Sequence, residues 1–136
     1  MKDTLKILLV DDEKIVGDRL KPALVKVGYS VEALVDPQKA LRRIAENEFD
    51  IIVTDIMMEE VDGIQILEAA MKKSHRTRVI VITGYANVNL AREAMDKGAF
   101  DIIEKPFQLG DLRNVIANAA KALDINEEIN HESSSI

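Results

Sequence analysis

Short apolar runs alternate five times along this chain with stretches whose apolar residues recur at helical spacing. The runs at 5–10, 30–35, 49–54, 78–82 and 100–103 predict strands. In the first intervening stretch Val16, Leu20, Ala23, Leu24 and Val27 form one stripe. Gly63, Leu67, Ala70 and Met71 do so in the third, and Leu112, Val115, Ile116, Ala119 and Leu123 in the last. Asp36-Pro37 predicts the start of the second helix, an N-cap followed by proline at the first helical position. Gly28 and Gly98 stand where helices should stop. Pro22 conflicts with this pattern, because inside a helix it removes a hydrogen bond at a cost of ~3 kcal/mol. The apolar stripe continues past it, so a kink is expected rather than a break. After Leu123 the pattern decays, which predicts one domain over 4–123 and a fraying, flexible tail or linker over 124–136.

Such alternation predicts an α/β, doubly wound five-stranded parallel sheet with five helices on its two faces. ILLV at 7–10, IIV at 51–53 and VIVI at 79–82 are continuously apolar, as strands buried on both faces should be. The second run alternates imperfectly and the fifth is short, so both belong at edges. Right-handed crossovers then give the order 2-1-3-4-5. That order reverses between strands 1 and 3, where a crevice should open at their carboxyl ends.

Each central strand leads into polar residues at that end. Asp11 and Asp12 follow the first, Asp55 the third and Thr83 the fourth, and the fifth leads to Lys105. Crowded carboxylates repel and need a compensating charge, and Mg²⁺ suits an all-oxygen site with few protein ligands. A carboxylate can also be the attacking oxygen that forms an aspartyl phosphate. The Lys105 ammonium and the Thr83 hydroxyl would stabilise the transferring charge. Taken singly, each feature reads as a helix cap, a turn or a solvated loop; convergence on one sheet end favours chemistry.

Composition narrows the choice further. The 136 residues are 47% hydrophobic and 31% charged, an ordinary globular profile with room for one domain. No cysteine is present, which removes disulfides and thiol catalysis and leads us to expect a cytoplasmic protein. Neither a membrane span nor a signal peptide is evident. With 18 Lys and Arg against 24 Asp and Glu, the net charge is −6, so direct nucleic-acid binding by this domain is not expected.

The segments ILLVDDE, IIVTDIMMEEVDG, VITGYA and GAFDIIEKPF resemble the motifs of bacterial response-regulator receiver domains. The resemblance runs from about Lys6 to Leu123 and implies a CheY-like, flavodoxin-type fold. It further implies that Asp55 is the phosphoacceptor, and that Asp11, Asp12, Asp55 and the Met57 carbonyl bind Mg²⁺ or Mn²⁺. Thr83 would contact the phosphoryl group and move on activation, Lys105 would pair with it, and the Lys105–Pro106 peptide would be cis. A histidine kinase or phosphotransfer protein would be the donor, and an output domain or protein the receiver of the signal. Pairing with a second copy through the face of helix 4, strand 5 and helix 5 is common in the family. TGYANVNLAREAMDKGAFDIIEKPF is most similar to receivers of NtrC-type enhancer-binding regulators.

Three positions depart from the family pattern. Glu59 stands where proline is usual, Ile102 replaces the aromatic switch residue, and Gln108 replaces the usual Asp cap of the last helix. Tyr85, two residues after Thr83, either borders the site and tunes phosphoryl lifetime or is a loop aromatic. His75 and His131 lack a second ligand at metal spacing and read as solvated.

The leading expectation is therefore a phosphoaccepting switch, catalytic only toward its own phosphorylation and dephosphorylation. A binding or adaptor module that signals without phosphorylation is the alternative. A flavin- or dinucleotide-binding enzyme on this architecture would need a phosphate-cradling loop after the first strand, where Asp11-Asp12-Glu13 would repel phosphate.

Overall fold

A computed structural model describes residues 4–84 and 87–134, with side chains described as far as residue 124. The strands are β1 (Lys6–Val10), β2 (Ser30–Leu34), β3 (Ile51–Asp55), β4 (Arg78–Thr83) and β5 (Asp101–Glu104). Between and after them run α1 (Lys14–Val27), α2 (Pro37–Glu46), α3 (Gly63–Lys73), α4 (Val88–Asp96) and α5 (Leu109–Ser134). All pairings are parallel and the strand order is β2-β1-β3-β4-β5, as the apolar pattern predicts.

The continuous apolar runs are explained by a core on each face of the sheet. Ile7, Leu9, Ile51, Val53, Ile80 and Ile82 point toward Leu20 and Leu24 of α1 and Leu112, Ile116, Ala119 and Leu123 of α5. Their neighbours Leu8, Val10, Ile52, Val79 and Val81 meet Ala40 and Ile44 of α2, Ile66, Leu67 and Ala70 of α3, and Ala94 of α4. Alternation along a strand thus feeds both layers, and the buried polar residues of the central strands, Thr54, Asp55 and Thr83, gather at their carboxyl ends.

The expected helix-end signals hold at Asp36 and Gly28. Asp36 accepts a hydrogen bond from the Gln38 N–H at 3.0 Å, with Pro37 in the first turn. The Gly28 N–H bonds back to Leu24 and Val25 at φ +121°, a conformation that L side chains rarely adopt. Gly28→Ala should lower unfolding stability by about 1 kcal/mol in urea titration, because the added Cβ meets open space and only backbone strain remains. α1 runs through Pro22 to Val27 as one helix. Val27, expected in its apolar stripe, is instead 53% exposed, since the helix ends there at Gly28. The α5 backbone stays helical to Ser134, beyond Leu123 where the apolar stripe stops. Among the described residues no helix is long and apolar enough to cross a membrane.

Two acidic caps replace weaker signals. Asp62 and Gln65 form a reciprocal capping box at the start of α3, with bonds of 2.9 and 3.0 Å. At the start of α5 the Gln108 N–H donates to Asp111 Oδ2 at 3.1 Å, the half of a capping box that the carboxylate three residues on can make.

Candidate functional site

Register brings the acidic residues together. Val10 pairs with Thr54 and Asp55 with Ile82, so Asp11 leaves β1 beside the end of β3. Asp55 and Thr83 are the last residues of their strands, buried within the sheet end rather than in the loops beyond it. Lys105 follows β5, its N–H donating to the Thr83 carbonyl at 2.8 Å. Carboxylate oxygens of Asp11, Asp12 and Asp55 all lie within 4.8 Å of one another.

The charges in this cluster are unequal in exposure. Asp11 and Asp55 are only 5% and 6% exposed, whereas Asp12 faces solvent. Lys105 Nζ donates to Asp55 Oδ2 at 2.9 Å and stands 3.8 Å from both Asp11 Oδ2 and Glu13 Oε1. Asp55 Oδ1 accepts the Met57 N–H at 3.1 Å, and Asp11 Oδ1 accepts the Glu13 N–H at 2.9 Å. Asp11 Oδ2 is buried and accepts no hydrogen bond.

Burial pushes the Asp11 carboxyl from 3.8 up to about 6; the Glu13 N–H opposes this and the charge on Asp55 adds to it. Burial acts the other way on Lys105, but its hydrogen bond to Asp55 and the charges of Asp55, Asp11 and Glu13 outweigh it. The ammonium is therefore held above its ordinary value. One cation serves three carboxylates, which leaves the site short of positive charge. A buried carboxylate oxygen that accepts no hydrogen bond, in an all-oxygen donor set, fits a hard divalent cation.

The remaining predicted site residues are placed as follows. Thr83 is buried, and its hydroxyl donates to the Gly84 carbonyl at 2.9 Å, so it must rotate before it can meet a ligand beside Asp55. Met57 follows β3 with its side chain 53% exposed. Ile102 on β5 is half-buried against the core of the α2, α3 and α4 layer, next to Val81. The Lys105–Pro106 peptide is cis. Tyr85 lies outside the described residues, as do the side chain of His131 and its surroundings. His75 is exposed.

Sequence reasoning assigned Gly63 to an apolar stripe and missed its closer role. A Cβ there would lie 2.7 Å from the Asp55 carbonyl oxygen and 2.7 Å from Ile56 Cα, both backbone atoms. Gly63 also donates its N–H to the Ile56 carbonyl at 2.9 Å. A glycine directly after a capping aspartate, in Val-Asp-Gly-Ile-Gln, was the available signal.

A doubly wound sheet with an acidic triad, a lysine and a buried threonine at its switch point defines a receiver-type module. The family described as response regulator receiver domain matches residues 7–117, and the chain belongs to that family, which serves two-component systems. It is 36% identical to Regulatory protein AtoC of Escherichia coli over 126 residues, covering 93% of this chain and 27% of AtoC. A response regulator receiver domain protein from Clostridium thermocellum superposes with a TM-score of 0.83 at 32% identity, covering 89% of this chain and 98% of that one. NtrX from Brucella abortus superposes at 0.86 with 28% identity, covering 95% of this chain and 29% of NtrX. The expected likeness to receivers of NtrC-type regulators is supported by these relatives. The chain spans less than a third of AtoC or NtrX.

Proposed function

We propose that Asp55 accepts a phosphoryl group from a phosphohistidine on a partner kinase or phosphotransfer protein, in a step that depends on a divalent cation. The observation that carries this reading is the Lys105 ammonium, 2.9 Å from Asp55 Oδ2, inside a cluster of three carboxylates that one lysine cannot neutralise. Asp11, Asp12, Asp55 and the Met57 carbonyl would hold Mg²⁺ or Mn²⁺, which supplies charge neutralisation for the transferring phosphoryl group.

An oxygen of Asp55 attacks phosphorus; the new P–O bond forms as the P–N bond to the donor imidazole breaks, and the imidazole leaves with the electron pair. Both oxygens of Asp55 already accept a hydrogen bond, one from Met57 N–H and one from Lys105. Lys105 therefore passes from the carboxylate to a phosphoryl oxygen, while the Met57 N–H continues to orient Asp55. The Thr83 hydroxyl exchanges the Gly84 carbonyl for the new oxygens. Inward movement of Thr83 and Lys105 then biases the face of α4, β5 and α5, through Ile102 rather than an aromatic ring. A change from mostly inactive to mostly active needs roughly 5 kcal/mol of differential stabilisation. Turnover is limited to the domain's own phosphorylation and hydrolysis, and the output lies in another segment or partner.

Incubation with a small phosphodonor and Mg²⁺ should add the mass of one phosphoryl group, with none added to Asp55→Asn or in excess chelator. No mass gain, or gain retained in Asp55→Asn, overturns the reading. The phosphorylation-independent adaptor predicts that first negative result.

A further inference from the structure

The loop between β3 and α3 carries the Met57 carbonyl, yet it lacks the proline that usually stiffens this position, having Glu59 instead. Ile56 and Val61 anchor its two ends in the core, and residues 57–60 between them form a largely exposed crest. Glu60 has φ +69°, the sole non-glycine residue with positive φ among those described. Such a conformation is uncommon for a residue with a Cβ and persists where surrounding contacts hold it. At its near end the crest is tied to the site by the Met57 N–H on Asp55 Oδ1. At its far end Gln38, in the first turn of α2, donates from Nε2 to Glu60 Oε2 at 2.9 Å. The backbone of Gln38 is itself fixed, because its N–H is held by the capping Asp36. A rigid helix start thus grips the one strained residue of the loop.

We propose that Gln38 is a positioning residue: through its hydrogen bond to Glu60 it holds the β3–α3 crest, and with it the Met57 carbonyl, in the geometry that completes the divalent-cation site. This rests on the reading of that site given above. Gln38 touches neither the cation nor the phosphoryl group. Its effect reaches the site through three peptide units of backbone, from Glu60 to Met57. The bond is solvent-exposed, so its loss is worth a few-fold change in affinity rather than abolition.

Mg²⁺ titration followed by the amide chemical shifts of Met57 and Asp55 tests this. Gln38→Ala should weaken Mg²⁺ binding about fourfold and lower the urea unfolding midpoint without metal only slightly, as the loss of one exposed bond does. Glu60→Ala should weaken it similarly, and the double variant no further than the weaker single one, because both remove one bond. Glu60→Gln keeps an acceptor oxygen and should bind as the wild type does. An affinity for Gln38→Ala equal to wild type, or single effects that add in the double variant, overturns the role of Gln38 and leaves the cation site standing. A wild-type protein that shows no Mg²⁺-dependent shifts overturns the site reading and this inference together.

Discussion

Gly63→Ala should cost ~2–3 kcal/mol of unfolding free energy and displace Asp55. Glycine to alanine at the first position of a helix is ordinarily neutral or favourable, since it lowers the entropy of the unfolded chain. Here the new methyl would lie 2.7 Å from Asp55 O and Ile56 Cα, and neither is the end of a flexible side chain that can turn away. The start of α3 or the end of β3 must move. Both are fixed: β3 is buried between β1 and β4, and α3 is held by the Asp62–Gln65 box and by Ile66 and Leu67 in the core. Gly110→Ala is the matched control, in α5 with nothing within 4 Å of the new Cβ, and should be neutral or gain up to about 1 kcal/mol. Urea titration of the two variants, with amide shifts of Asp55 and Met57, separates strain from a general glycine effect. Equal stability for the two variants would sink the close-approach argument.

Asp11→Asn should stabilise the metal-free protein at pH 7.5, although it removes a charge from the candidate site. The Asp11 carboxyl titrates at about 6 in the folded chain against 3.8 as its ordinary value, chiefly because it is buried. A raised carboxyl pKa means that the ionised form is disfavoured by folding. The penalty is fully present above pH 6, shrinks as pH falls through that value, and vanishes below about 3.8, where folded and unfolded chains are both protonated. At 1.36 kcal/mol for each pH unit, and with allowance for relaxation around the charge, the gain from the amide is about 2 kcal/mol at pH 7.5. It should fall to near zero by pH 4. The amide oxygen can keep the Glu13 N–H that Asp11 Oδ1 now accepts. If the cluster holds Mg²⁺ as proposed, adding the cation should reverse the order, since the wild type alone keeps all three carboxylates. Urea titrations at both pH values, with chelator and with Mg²⁺, read all four numbers. Loss of stability in Asp11→Asn at pH 7.5 with chelator would show that the carboxylate is not strained by burial.

These two residues also show where reading the chain succeeds and where it stops. Strand order was legible because burial on two faces demands continuous apolar runs, and only β1, β3 and β4 have them. Edge character was legible from the broken pattern of β2. The caps at Asp36 and Gly28 were legible because they act within a few residues. The candidate site followed from topology, since any polar residue that ends a central strand must open into the same crevice.

Other features depend on contacts between segments distant in sequence. Val27 continues the helical stripe of α1 yet lies exposed at the last turn before Gly28, which periodicity alone does not tell. Gly63 looks like any small helical residue until β3 is laid against it. Gln38 and Glu60 are 22 residues apart, and nothing in either local pattern pairs them. The opening feature of the chain, its alternating apolar runs, determined by itself the fold class, the strand order and which side chains would converge. Tertiary structure alone decided how close they come, that one lysine is shared among three carboxylates, and that one buried oxygen of Asp11 accepts no hydrogen bond. The physical reason is that apolar burial is additive and readable along the chain, whereas charge compensation and close approach are set at ångström scale between strands.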